Sequence, residues 1–203
     1  NPLDPRASAA GLLQALNTLR AARDSMPRTN GVADLAQDLD DEIAKLNEAA
    51  VTALGLVIDA VAGDARVAPG QAVDVEITLW NGGAEPVRVR GLAPEMPRDP
   101  RWFAEPADSL ADPSAVAAVA PGSLLTRRWR VNVPRGAGLT EPYFLREPRE
   151  GDLYRWDPDE RGVQITEPFE PPPLSACGSG EVNGTHLNFC TEATFREVDL
   201  RQG

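Results

Sequence analysis

The placement of proline divides this chain. Of its 19 prolines only Pro2, Pro5 and Pro27 precede residue 68. Proline inside a helix removes a hydrogen bond and clashes with the preceding turn. Long helices are therefore confined to the first third. That stretch is rich in Ala and Leu, which favour helices, whereas Val, Trp, Gly and Pro dominate the remainder. The order predicted is helices first, strands second.

Periodicity agrees. Leu12, Leu16 and Leu19 share one helical face, which predicts a helix over Arg6–Asp24 stopped by Ser25-Met26-Pro27. Leu35, Leu39, Ile43, Leu46, Ala50, Leu54, Val57 and Val61 recur at steps of three and four, and Asp34 with Gln37 resembles a capping box. A second helix is expected over Asp34–Val61, a rod of roughly 42 Å. Two helices cannot bury so long a stripe by themselves. It is expected to dock on the β region, a second copy or another domain, plain core being the simplest of these.

After residue 64 the period becomes two. Val73, Val75, Ile77 and Leu79 alternate with Asp74, Glu76 and Thr78; Val87 and Val89 alternate with Arg88 and Arg90; Trp129, Val131 and Val133 alternate with Arg128, Arg130 and Asn132. Asn81-Gly82-Gly83 turns the chain, and Val67-Ala-Pro-Gly70 returns as Val119-Ala-Pro-Gly122. Tyr143-Phe144-Leu145 reads as a closing strand. The fold class expected is α+β: an N-terminal antiparallel helical hairpin (1–63), an immunoglobulin-like β-sandwich (64–145), a Pro-rich linker (146–173) and a C-terminal β-hairpin (174–203), the last opening a further β unit.

Composition limits the chemistry. The net charge is −11, with 31 acids against 20 bases, so the basic surface that binds nucleic acid is not expected. No run is apolar enough to insert into a membrane as a helix. With His186 the one histidine, zinc triads and Ser-His-Asp arrangements are not expected, so no cofactor, metal site or catalytic residue is assigned. The acidic loop Asp152–Gly162 lacks EF-hand spacing and reads as solvated turn. Trp80, Trp102, Trp129 and Trp156, with Tyr143 and Tyr154, could stack on sugars. Trp129 has core parity, whereas Trp80 has the opposite parity to Leu79. Trp80 and Trp102 are the candidate ligand residues, with packing as the plainer reading of each. The chain opens on Asn1 and meets no methionine before Met26, which leads to the expectation of a piece of a longer protein.

The second part resembles the NEW-type β-sandwich module associated with carbohydrate-active enzymes. The matching residues are Val67–Gly70, the strand through Trp80-Asn81, Pro121-Gly122 and Trp129–Pro134. Leu54–Ala60 leading into Val67–Gln71, then Glu141–Arg146 and Gly151–Tyr154, are similar to the middle region of bacterial LmbE-like (PIG-L) deacetylases. That family's zinc loop, Pro-His-Pro-Asp-Asp, has no counterpart here. The resemblance implies a non-catalytic accessory region of an exported deacetylase of N-acetyl sugars. Its partner would be an upstream catalytic domain, and glycan a possible second one. The alternative is a stand-alone scaffold or oligomerisation module using the helix 2 stripe.

The cysteines allow a derivation from register. Asn183-Gly184 is the signature of a two-residue hairpin turn. Counting outward from it, Cys190 falls directly opposite Cys177 as the sixth pair, a non-hydrogen-bonded position where Cα atoms approach to about 4.5 Å. A disulfide is feasible at that separation, would add roughly 3 kcal/mol in the chain-entropy picture, and implies an oxidising, periplasmic or extracellular compartment. Thiol titration of the unreduced, denatured protein is expected to find no reactive thiol; two would remove both the bridge and the argument for export.

Overall fold

The structure is a computed structural model that describes residues 5–27, 33–97, 99–107, 115–140, 149–153 and 172–197. A 3-10 turn, Pro5–Ser8, leads into helix α1 (Ala9–Asp24), followed by α2 (Ala33–Ala53). Among the described residues nine strands follow: β1 (Leu56–Ala62), β2 (Ala72–Asn81), β3 (Val87–Glu95), β4 (Phe103–Pro106), β5 (Ala117–Val119), β6 (Leu124–Asn132), β7 (Ser175–Val182), β8 (Thr185–Glu192) and β9 (Thr194–Phe195). One sheet has the order β4-β6-β2-β1-β9 and the other β5-β3-β7-β8. Among the described residues the pairings are antiparallel except that of β1 with β9.

The expected second helix ends early. Gly55 takes a left-handed backbone, φ +70°, its N–H bonds to Thr52 O, and the chain leaves the helix there. Val57 and Val61 lie in strand β1, paired along its length with β2 from Leu56↔Asn81 to Ala62↔Val75. The β-branched run Val57-Ile58 favours that strand. The helix is therefore 21 residues, roughly 32 Å. The 3.6-residue pattern across the junction was a coincidence of spacing.

Sheet membership also crosses the expected boundaries. β1 precedes residue 64 yet lies beside β2, and β7 follows residue 173 yet pairs with β3 from Arg88↔Glu181 to Glu95↔Ser175. The sequence distance between β3 and β7 hides this, because alternation fixes which face a strand buries and not which strand lies beside it.

Both sheets and both helices contribute to one buried cluster. Val73, Val75, Ile77 and Leu79 of β2 meet Val87 and Val89 of β3, with Trp129, Val131, Val182, Leu187 and Phe189 around them, and Leu13, Leu16 and Ala50 from the helices. The Trp129 indole N–H donates to Leu92 O, 3.2 Å, tying the first sheet to the register shift in β3 between Arg90 and Ala93. Of the α2 stripe, Ile43 and Leu46 pack on this core and Ala50 is fully buried. The recurring Val-Ala-Pro-Gly segments have one structural meaning. Gly70 and Gly122 have φ +88° and +71°, and Gln71 and Ser123 donate back to Ala68 O and Ala120 O. Each is a Pro-Gly turn of type II shape that launches a long strand, β2 or β6.

Asn81, with no exposed surface, closes this end of the core. Its Nδ2 donates to Glu85 O and Val119 O, both 2.9 Å, and its Oδ1 accepts from Gly83 N, 3.0 Å. Removing the carboxamide strands three backbone groups. Asn81→Ala is expected to cost about 2–4 kcal/mol, read as a lower urea midpoint with an unchanged slope; a loss under about 1 kcal/mol would show that those bonds contribute little.

Candidate functional site

The outer face of the five-stranded sheet is ordered along its length. β2 turns Asp74, Glu76, Thr78 and Trp80 outward, because Val73, Val75, Ile77, Leu79 and Asn81 are buried on the other side. β6 sets Arg130, Arg128, Thr126 and Leu124 directly opposite them. The cross-strand rows thus change from charge pairs to a hydroxyl pair to an apolar pair. Arg130 binds Asp74 through two bonds, 2.8 and 3.1 Å. Arg128 Nε reaches Glu76 at 2.8 Å, and the Thr78 and Thr126 hydroxyls are 3.3 Å apart.

The apolar row has three members. β1 places Val57 beside Trp80, and β6 places Leu124 on its other side. Their exposures are 50%, 43% and 64%. A β-carbon on Gly82 would come within 2.6 Å of the Trp80 ring, so the indole lies against bare backbone at the turn. In the next row Asp59 stands beside Thr78, and Arg196 pairs with Asp59 at 2.6 and 2.9 Å. An exposed aromatic with aliphatic neighbours and adjacent hydroxyls offers stacking and hydrogen bonding side by side, which suits a ring with one apolar face and a polar edge.

Trp80 is thus exposed, as its parity suggested. Trp102 is half-buried and packed against the core. The two are also far apart. Trp80 pairs with Leu124 at the start of β6, whereas Phe103, next to Trp102, pairs with Asn132 at its end. Eight residues of strand separate these positions, roughly 27 Å, so they do not form one platform. Trp129 is core. Trp156, Tyr143 and Tyr154 and most of the acidic loop lie outside the described residues. Sequence reasoning missed Val57, assigned to a helix, and Leu124, four residues before the alternation that starts at Arg128. It also missed Phe103, 54% exposed. Extending the β6 alternation back to the Pro-Gly turn would have found Leu124.

Cys177 and Cys190 are bonded, with Cα atoms 4.1 Å apart, and sit opposite each other in the register. His186 is exposed on β8. Among the described residues no helix is long and apolar enough to cross a membrane.

No family model matches the chain, and no curated protein matches it. Among solved structures it is similar to the sporulation control protein Spo0M of Bacillus subtilis, at 9% identity and TM-score 0.36, covering 70% of this chain and 50% of that one. It is similar to PapD-like domain 7 of human CEP192, at 10% identity and TM-score 0.30, covering 71% and 88%. It is also similar to the Pseudomonas fluorescens alkylpurine DNA glycosylase AlkC bound to DNA containing an abasic site analogue, at 12% identity and TM-score 0.29, covering 95% and 47%. The chain spans about half the length of Spo0M and of AlkC. At these values the likeness carries no argument about function.

The charged rows predict a pH response. The Arg130 hydrogen bond holds the Asp74 carboxyl below its ordinary value of 3.8, and Asp74 raises Arg130 in turn. A carboxyl depressed by folding stabilises the fold above its unfolded value and loses that contribution as pH falls through the folded one. The thermal midpoint is therefore expected to fall as pH drops below 3.8, and Asp74→Asn to flatten part of that fall. The effect is small because both groups face solvent. Identical acid limbs for Asp74→Asn and the parent would show that the pair contributes nothing.

Proposed function

We propose that this chain is a non-catalytic accessory module that holds glycan against the outer face of its five-stranded sheet, and that its sheets form an immunoglobulin-like sandwich. The observation that carries this is the exposed row Val57–Trp80–Leu124, an indole between two aliphatic side chains with the Thr78 and Thr126 hydroxyls in the next row. Aromatic faces take up the C–H face of a pyranose, and hydroxyls exchange hydrogen bonds with its rim. The ligand favoured is neutral, since a chain of net charge −11 repels anionic sugars.

The parent protein is an exported LmbE-like deacetylase of N-acetyl sugars, on the strength of the short ordered matches at Val67–Gly70, Trp129–Pro134 and Glu141–Arg146. The Cys177–Cys190 bond suits export. The scaffold reading relied on the α2 stripe. Ile43, Leu46 and Ala50 are engaged with the core, which leaves Leu35 as its exposed member.

Titration with oligomers of N-acetylglucosamine, followed by tryptophan fluorescence and calorimetry, tests the glycan reading. Binding of about millimolar strength is expected, lost in Trp80→Ala and kept in Trp102→Ala. Absence of any signal, or equal binding by Trp80→Ala, would overturn it. The parentage has its own test: a reading frame that lacks a Pro-His-Pro-Asp-Asp segment upstream removes the deacetylase.

A further inference from the structure

Strands β3, β7 and β8 lie side by side in the four-stranded sheet. Ala176, Val182, Leu187 and Phe189 face the core, so the alternate residues Cys177 and Cys190 face outward. The register shift in β3 places Ala93 opposite Cys177 and Glu95 opposite Ser175, one row along on the same face. The Glu95 carboxylate reaches across that diagonal. Its Oε2 lies 2.9 Å from Cys177 Sγ. The two sulfurs and a Glu95 oxygen all fall within 4.8 Å of one another.

We infer that Cys177, Cys190 and Glu95 are a divalent metal site of the zinc type, which the disulfide closes and reduction opens. Two thiolates and a carboxylate are ligands that zinc accepts, at about 2.3 Å and 2.0–2.2 Å, with donor atoms roughly 3.5–3.8 Å apart around a tetrahedron. The Glu95 oxygen now lies nearer to Cys177 Sγ than that and the two sulfurs are bonded, so reaching the spacing requires the bond to break and the side chains on the three paired strands to move apart. The fourth position is left to water. In the oxidised chain neither sulfur has a lone charge to offer. A dithiol reductant supplies two electrons and two protons: the sulfur–sulfur bond breaks, two S–H bonds form, and the reductant becomes a disulfide. Metal binding then releases both thiol protons to solvent. Three negative groups around a dication leave one net negative charge at the site. The soft sulfur pair selects zinc over calcium or magnesium. This inference is independent of the glycan reading, which concerns the other sheet; an oxidising compartment keeps the bridge closed, so the site opens only where a dithiol reductant reaches the chain.

The test uses the full chain, reduced with a phosphine, desalted without oxygen and titrated with zinc against a chromogenic chelator. One zinc per reduced chain is expected and none per oxidised chain. Cobalt in place of zinc is expected to show a thiolate charge-transfer absorption. Changing a group that merely orients a metal ligand costs about 10–100-fold in affinity. Glu95→Gln is therefore expected to weaken zinc at least about tenfold, and Cys190→Ser to abolish stoichiometric uptake. Zinc left with the chelator by a reduced chain that keeps its β circular dichroism would overturn the inference, as would Glu95→Gln binding as tightly as the parent. If reduction unfolds the chain, the same titration is followed by circular dichroism. Recovery of the β spectrum on adding zinc supports the site, and no recovery overturns it.

Discussion

The buried carboxamide of Asn81 holds together the end of the molecule on which the candidate site depends. Its two donor bonds reach the β2–β3 turn at Glu85 and strand β5 at Val119, and its acceptor fixes Gly83. Its backbone N–H bonds to Ser123 and its carbonyl accepts from Gly122, in the turn that launches β6. Gly82 in turn donates to Gly55 O, where α2 gives way to β1. The Asn81 side chain thus connects the β2–β3 turn to the edge strand β5, while the backbone groups of Asn81 and Gly82 add the turn before β6 and the helix–strand junction. Because side chains in a strand alternate, anchoring Asn81 inward holds Trp80 outward. A slip of one residue would bury the indole and expose the carboxamide, so the orientation of the site follows from satisfying one buried amide.

The helices act on the other sheet by a related device. β8 is an edge strand, and an edge presents unpaired backbone groups that invite association. Here side chains occupy them. The Asn47 amide donates to Asn188 O at 2.6 Å and accepts from Asn188 N at 3.0 Å, as a neighbouring strand would. Arg20 donates to His186 O, and Asn17 to the Thr185 hydroxyl at 2.8 Å. The helical pair therefore both packs on the core and covers this edge.

What could be read in the sequence was whatever local pattern dictates. Alternation gave the buried faces of β2, β3 and β6 and the outward setting of Trp80. Turn chemistry located the Asn183-Gly184 reversal, and with it the register that joins Cys177 to Cys190. Non-local pairing was not legible. Nothing local in Ser175–Val182 says that it lies beside Val87–Glu95, because the choice of neighbour rests on how two sheets fill one core. The segment after Gly55 misled for a different reason. Leu54, Val57 and Val61 continue the helical steps of α2, whereas the strand buries Leu56 and Ala60, and the deciding signal was the left-handed Gly55 between them. The site inherited that error, since Val57 flanks Trp80 only once β1 is a strand.

The composition of the exposed face bears on what a site there can do. Charge pairs at Asp74–Arg130 and Glu76–Arg128 keep the middle of the face hydrated, and its exposed apolar side chains are the row of three at one end and Phe103 at the other. One indole and two aliphatic side chains on an open sheet enclose little of a ligand, far from the near-complete burial that a concave pocket gives. Such a site is weak alone. Tethering changes its consequence, because a linked second site acts at a high effective concentration set by the linker, which raises overall avidity without any new contact. The glycan reading and the accessory reading therefore depend on each other: a weak, open platform is useful to a neighbouring domain that acts on the same polymer, and of little use to a protein that must retain the ligand unaided.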